Sequence, residues 1–412
     1  VRVVVVGKGG REHALAQKLQ QSSIVTELWV CPGNPGMEMF GISCQPIEKP
    51  DEIENFCVSN GVSLVVLGPE GAILSDLKER LALHKIFCFA PSPEGAKLES
   101  SKVFCKNILE LAGIPTAQWK LCHNLAEARE KIQAHSFKNP LVLKVDGLAQ
   151  GKGVWICESL EKALEGMKTL TEQFGFPLLI EECLVGKELS AFALCDGTDF
   201  VILGTACDYK RITSDPFSAN TGGMGAFSPC DFLSPEDEKQ IEKIFTKTLT
   251  VLKEKNMPYQ GFLFAGLMRT DKEMSVLEFN ARMGDPETQA LLPRLESDLV
   301  QLILAAVKHE LKGAQCRHSS STTVHVVAAS KGYPSAKMEL GESISLPPLS
   351  ENIAQVFFAG VSLNQKHLIN CGGRVLGVTS LGDTKVEART QAYQLLRKIH
   401  FKGMTYREDI GL

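Results

Sequence analysis

Glu278 and Asn280, in the stretch Val276-Leu277-Glu278-Phe279-Asn280, are of the types that hold a hard cation. Apolar and polar residues alternate here as in a half-buried strand. Strand side chains repeat every two residues, so Glu278 and Asn280 share one face while Leu277 and Phe279 share the other. Two oxygen ligands side by side suit Mg²⁺, which takes one or two protein groups and fills its shell with waters and phosphate oxygens. A solvated outer face would alternate in the same way. Arg282, Asp285 and Glu287 follow at once, however, too many charges for a segment flanked by Phe279 and Leu291.

Anion chemistry is suggested further upstream. The segment from Lys144 to Val154 holds Gly147, Gly151, Lys152 and Gly153. A Walker A loop needs four residues between its glycines and then Lys-Ser/Thr; this segment has three, then Lys-Gly, so it is not that motif. Glycine-rich backbone with a lysine can still present N–H groups to a triphosphate, and Lys144, closing a strand, can add its charge. A flexible surface loop is the plainer alternative. In Ile180-Glu181-Glu182-Cys183-Leu184 a strand leaves its sheet, and such a hinge can pair with an adenine edge while Glu188 takes ribose hydroxyls. An ordinary solvated pair of acids is the simpler account of Glu182. Asn220-Thr221-Gly222-Gly223-Met224-Gly225, preceded by Asp208 and Lys210-Arg211, is a polar glycine turn that alone could be any irregular loop.

The first glycine turn, Gly7-Lys8-Gly9-Gly10-Arg11-Glu12, lacks the last glycine of a dinucleotide fingerprint, because Glu12 stands there. The acidic residue expected after the second strand is also absent, since Val30 leads into Cys31. A nicotinamide cofactor is therefore disfavoured. The turn either serves only as a strand–helix junction or holds a phosphate on helix N–H groups with Arg11 beside it.

These motifs hang on an alternating chain. Strands at Val3–Val6, Leu28–Val30 and Leu64–Leu67 end in glycine turns and alternate with helical stretches, which predicts a parallel α/β domain with ligands beyond the strand ends. The fold class is α/β (α+β). The expected partition is an N-terminal parallel-sheet domain over 1–118, a smaller unit over 119–190, a catalytic unit over 191–325 and a C-terminal α/β domain over 326–412. Net charge is −4 with no basic block, which argues against nucleic acid. No apolar run approaches the ~18 residues of a membrane span. Thirteen cysteines without a CxxC pair read as reduced thiols, so a soluble cytoplasmic protein is expected, taken here as a monomer.

In this order the pieces resemble the ATP-grasp superfamily, and within it the GAR synthetase family. Gly9-Gly10-Arg11-Glu12-His13-Ala14, Pro32-Gly33-Asn34, Gly68-Pro69-Glu70, Ser101-Lys102, Ile114–Ala117, Asn220–Gly225, Gly284–Gln289 and Gly372–Leu376 carry the likeness, which spans essentially the whole chain. The resemblance implies two ATP-grasp subdomains between the terminal domains. It also implies a reaction: ATP phosphorylates glycine, and 5-phosphoribosylamine attacks the acyl phosphate. Lys102 and Lys144 would then grip phosphates under Gly151, Lys152 and Gly153. Glu181 and Leu184 would border adenine, Glu188 the ribose. Glu278 and Asn280 would hold Mg²⁺ or Mn²⁺, with Arg282 on the transferring phosphoryl group. Asp208 and Lys210, with Asp285, would serve the glycine side. Gly10, Arg11, Glu12, Asn34, Glu70, Asn220, Thr221, Gly222 and Arg374 would form the amine-substrate side.

The chain departs from the family pattern where Gln-Asp-His-Lys-Arg becomes Cys207-Asp208-Tyr209-Lys210-Arg211, and where Gly-Pro-Asn becomes Ser218-Ala219-Asn220. Asp76 replaces a glycine. These changes gather on the glycine and amine sides and leave the nucleotide and metal positions untouched.

Overall fold

The computed structural model describes residues 1–149, 153–215, 218–349 and 354–412. The valine run forms the strand Arg2–Gly7, buried after Arg2. Glu27–Pro32 and Leu64–Leu67 flank it in parallel, and Ser43–Cys44 and Phe87–Phe89 complete a five-stranded parallel sheet. Strands apolar on both faces need cover on both, here from helices such as Gly10–Gln20 and Pro50–Ser59. The three glycine turns leave the same end of this sheet.

A four-stranded antiparallel sheet follows, in the order Trp119–Cys122, Leu178–Glu182, Leu141–Val145, Val154–Cys157. Helices Leu125–Gln133 and Leu160–Phe174 back it, and Cys122, Ile132, Leu143, Met167 and Leu170 give it a core of its own. A unit with a separate core can move as a body, which suits a lid.

The third sheet has eight strands: Met274–Asn280, Gln260–Arg269, Lys187–Asp196, Phe200–Asp208, Gly225–Ser228, Thr322–Ala329, Arg374–Gly382 and Ala354–Phe358. Gly225–Ser228 pairs with Thr322–Ala329, so the catalytic and C-terminal segments share one sheet. The partition expected at 325 falls inside a strand, and the one expected at 190 falls inside Lys187–Asp196. The helix Lys102–Leu111 packs on Pro235–Glu254 and Met274–Asn280. No helix among the described residues is long and apolar enough to cross a membrane.

In Met274–Asn280 the alternation read from the sequence is interrupted. Glu278 lies opposite Gly266 and Val276 opposite Leu267, so Leu277 is the extra residue of a bulge. Bulges re-aim side chains at functional edges. Phe279 is buried in the main core, where such a ring stabilises by roughly 1.5–3 kcal/mol, and its burial keeps Glu278 turned the other way.

Candidate functional site

Four cations surround Glu278. Burial alone would push its carboxyl up, but Lys210, Lys144, Lys102 and Arg282 hold it below the usual carboxylate range. Each cation has another anchor. Lys144 Nζ lies 2.9 Å from Glu181 Oε2 and donates to the carbonyl of the bulged Leu277 at 3.4 Å. Lys102 Nζ donates to the Gly147 carbonyl at 2.9 Å, and burial holds that ammonium below its ordinary value. Asp146 joins the same junction, accepting from Ser101 Oγ at 3.1 Å and from the Val103 N–H at 3.2 Å. The lid strand Leu141–Val145 thereby docks on the start of the helix Lys102–Leu111.

Glu181 has a role that local sequence does not reveal. Its carboxylate is buried between Lys144 and Lys106, whose Nζ lies 3.1 Å away and also donates to Thr116 Oγ1 at 2.8 Å. Two lysines share Oε2, while Oε1 is buried without a partner. Thus Glu181 positions Lys144 with its side chain, and only its backbone remains for the hinge. Leu184 follows on that hinge, just beyond the strand Leu178–Glu182.

Arg282 is fixed by three parts of the chain. Its guanidinium lies 2.8 Å from Glu99 Oε1 and 3.4 Å from Glu70 Oε2, and it donates to Asn280 Oδ1 at 3.3 Å. Glu99 spends its other oxygen on the Ala281 N–H at 2.8 Å. Burial pushes the Glu99 carboxyl up, with Arg282 and that N–H opposing. Glu70 stands half-buried at the turn after Leu64–Leu67 and is held low because Arg282 and Arg11 outweigh its burial. Asn280 therefore sits beside Glu278 with its oxygen engaged by an arginine.

Asp208 and Lys210 lie at the end of the strand Phe200–Asp208. Burial, reinforced by Glu287 and Glu188 and opposed by Lys210, pushes the Asp208 carboxyl up to about 7. Lys210 pairs with Glu188, which leaves the latter half-exposed. Glu287 is buried, accepts from Ser190 Oγ at 3.2 Å and is likewise pushed up by burial.

A second cluster joins the N-terminal turn to the C-terminal strand. Arg374 NH1 donates to the carbonyls of Gly222 at 2.6 Å and Asp285 at 2.7 Å, and lies 3.3 Å from Asp285 Oδ1. Gln289 Nε2 donates to the same Oδ1 at 2.8 Å. Despite burial, Arg374 and Arg11 hold the Asp285 carboxyl low. Asp285 thus stands with Arg374 and beside the Gly9 turn. Thr221 accepts the turn N–H of Gly223 and donates to the Lys210 carbonyl, while Asn220 is exposed.

Arg11, Glu12 and Asn34 are turned inward. Arg11 is 7% exposed and Glu12 2%. Glu12 accepts from Arg11 Nε at 2.5 Å and from the Gly9 N–H at 2.7 Å. The anion at this helix start is therefore the protein's own carboxylate. A Cβ at Gly68 would lie 2.2 Å from Glu12 Oε1, so that turn needs glycine to let the side chain in. Asn34 caps Pro35–Glu38 and gives its amide hydrogens to the Lys8 and Phe358 carbonyls at 2.8 and 3.1 Å. It ties the N-terminal sheet to the C-terminal segment.

Gly151 and Lys152 lie outside the described residues; Gly153 lies against Ala149 and Val145, and its carbonyl accepts the Val145 N–H at 3.0 Å. Asp76 points at Arg80, 2.7 Å away, and is 58% exposed, clear of both clusters. Tyr209 accepts the Gly411 N–H at 3.0 Å and serves the C-terminal tail. Glu99 and Lys106 contact these clusters although no motif marked them. Among the described residues, five buried side-chain atoms lack a hydrogen-bond partner, and three of them belong here: Glu181 Oε1, Arg282 Nε and Gln289 Oε1. Such groups concentrate where a ligand completes the bonding.

A lid sheet hinged over an antiparallel catalytic sheet, with cations and a carboxylate between them, defines an ATP-grasp protein. Residues 100–288 match the phosphoribosylglycinamide synthetase ATP-grasp (A) domain, 1–99 its N domain and 323–412 its C domain. The chain belongs to the phosphoribosylglycinamide synthetase family. It is 40% identical over 426 residues to the phosphoribosylamine–glycine ligase of a Nostoc species, covering 100% of this chain and 99% of that one. The crystal structure of phosphoribosylamine–glycine ligase from Thermotoga maritima superposes with a TM-score of 0.85 at 36% identity, covering all of both chains. A biotin carboxylase domain from Hydrogenobacter thermophilus, solved with MgADP and bicarbonate, shares the fold at a TM-score of 0.72 and 15% identity, over 98% of this chain and 91% of that one.

Proposed function

We propose that this chain joins glycine to 5-phosphoribosylamine at the expense of ATP, through glycyl phosphate, giving glycinamide ribonucleotide, ADP and phosphate. The observation that carries the reading is the convergence of Lys102, Lys144, Lys210 and Arg282 on Glu278. A carboxylate is a poor electrophile, so one of its oxygens must become a phosphate leaving group. Phosphoryl transfer needs charge neutralisation and alignment, not a protein nucleophile.

Lys102 and Lys144 bind the nucleotide phosphates, and Glu181 with Lys106 keeps Lys144 pointed at them. The hinge backbone at Glu181 and Leu184 borders the base, with Glu188 on the ribose. Gly151, Lys152 and Gly153 belong to the loop that closes over the phosphates. Glu278 and Asn280 fit Mg²⁺ or Mn²⁺: among the described residues no three His, Cys, Asp or Glu side chains group as ligands, so phosphate oxygens would complete the shell. The cation would neutralise phosphate charge.

Arg282 faces the transferring phosphoryl group, and its tie to Glu70 links this centre to the amine side. Lys210 offers its charge to the carboxylate of glycine, and Asp208 a carboxyl oxygen to its amine. Gly10, Asn34, Glu70, Asp285, Asn220, Thr221, Gly222 and Arg374 line the phosphoribosylamine side, which Arg11 and Glu12 shape from behind. The amine of phosphoribosylamine attacks the acyl carbon, and phosphate leaves.

Phosphate release tests the reading. It should require ATP, glycine and phosphoribosylamine together; steady turnover without the amine, or with another amine preferred, would overturn it.

A further inference from the structure

Cys207 is the penultimate residue of the strand Phe200–Asp208, and Cys230 follows the strand Gly225–Ser228. The two strands pair with Cys207 opposite Phe227, which brings the two Sγ atoms to 2.9 Å. One thiol donates to the other, and the remaining gap to a bonded S–S separation is under about 1 Å. All thirteen cysteines are free, and among the described residues this is the only hydrogen bond between two thiols. The segment between this pair carries Asp208, Lys210, Thr221 and Gly222.

We propose that Cys207 and Cys230 form a dithiol oxidation site, closed by hydrogen peroxide into a disulfide that staples the base of the loop bearing Asp208 and Lys210. One thiol attacks the peroxide, breaks its O–O bond, becomes a sulfenic acid and releases water. The neighbouring thiol then attacks that sulfur and expels the hydroxyl, which leaves as water with the thiol's proton. Two thiols and one peroxide give one disulfide and two waters.

Access favours a small uncharged oxidant. Cys207 and Cys230 each keep 7% of their surface exposed, whereas Cys31, Cys57, Cys122, Cys157 and Cys195 have none. The hydrogen bond shared with Cys230, together with burial, pushes the Cys207 thiol up, so the first step is slow at neutral pH and needs sustained exposure. Because the strands are already in register, closure moves little backbone. A cross-link across 23 residues restrains the unfolded chain, so the melting temperature should rise by about 2–5 °C.

The full chain is treated with hydrogen peroxide, alkylated, digested and mapped by mass spectrometry beside a sample reduced with dithiothreitol. The expected result is a linked pair of peptides carrying Cys207 and Cys230, with the melting shift, both reversed by reduction. Cys207→Ser and Cys230→Ser should each abolish the link and the shift. Oxidation of the exposed Cys371 while both peptides remain separately alkylated overturns the proposal. So does a melting shift that persists in both serine variants.

Discussion

Replacing Glu278 by alanine separates catalysis from folding in a way that the site geometry specifies. Four cations depress its carboxyl, yet none lies within 4 Å of it among the described ion pairs. At an effective dielectric near 20, each such attraction is therefore below about 4 kcal/mol. When Glu278 is gone, each cation keeps a partner. Lys144 retains Glu181, Lys210 retains Glu188, Arg282 retains Glu99 and Glu70, and Lys102 retains the Gly147 carbonyl. No cation is orphaned, so the loss of stability should stay within about 1–2 kcal/mol, as for an ordinary point mutation. Turnover has no such reserve. Removing one group aligned with transition-state charge costs on the order of 3–4 kcal/mol, or 10²–10³ in kcat. Phosphate release at saturating substrates and Mg²⁺, beside urea denaturation, reads both quantities. A kcat within threefold of the parent would refute the metal assignment; collapse of the fold with lost activity would refute the claim that the cations are independently anchored.

Other predictions follow from single contacts. Glu99→Gln leaves Arg282 without its closest carboxylate, so kcat should fall about tenfold or more while the KM for ATP changes little; a raised KM at unchanged kcat would mean that Glu99 acts elsewhere. Arg11→Ala strands the buried Glu12 charge and should cost about 3–5 kcal/mol in denaturant unfolding; unchanged stability with only a raised KM for phosphoribosylamine would show that Arg11 faces the substrate. Asp208, pushed up to about 7 by burial, keeps a proton that the unfolded chain releases near pH 4. Its contribution to stability therefore falls as pH rises from about 4 to about 7 and is constant above. Asp208→Asn should lose turnover yet gain stability over the parent at pH 8 relative to pH 4.5, on the order of 3 kcal/mol; equal differences at the two pH values would contradict the shift.

Local pattern carried much of this architecture. Leu64–Leu67 begins and ends where its apolar run does, because a strand buried on both faces reads as an unbroken apolar word. Glu278 was visible from alternation, although the bulge at Leu277 was not, since a bulge depends on its partner strand. What escaped the sequence joins distant positions. Glu99 meets Arg282 across 183 residues, and Lys106 meets Glu181 across 75, with no spacing to announce either. One local sign existed for Lys106: it lies four residues after Lys102 on one helix, hence on the same face. The backbone bonds that the Glu12 and Asn34 side chains make, to the Gly9 N–H and the Lys8 carbonyl, are likewise visible only in three dimensions. The shared eight-stranded sheet hid for the same reason, because pairing of Gly225–Ser228 with Thr322–Ala329 leaves no trace in either segment.

The central claim is that glycine passes through an acyl phosphate, and oxygen transfer tests it most directly. Glycine labelled with ¹⁸O in both carboxylate oxygens is turned over with ATP and phosphoribosylamine, and the released phosphate is analysed by mass spectrometry. The account predicts one ¹⁸O in each phosphate and one retained in the amide product. Phosphate free of label, in a reaction that still forms the amide, would contradict it.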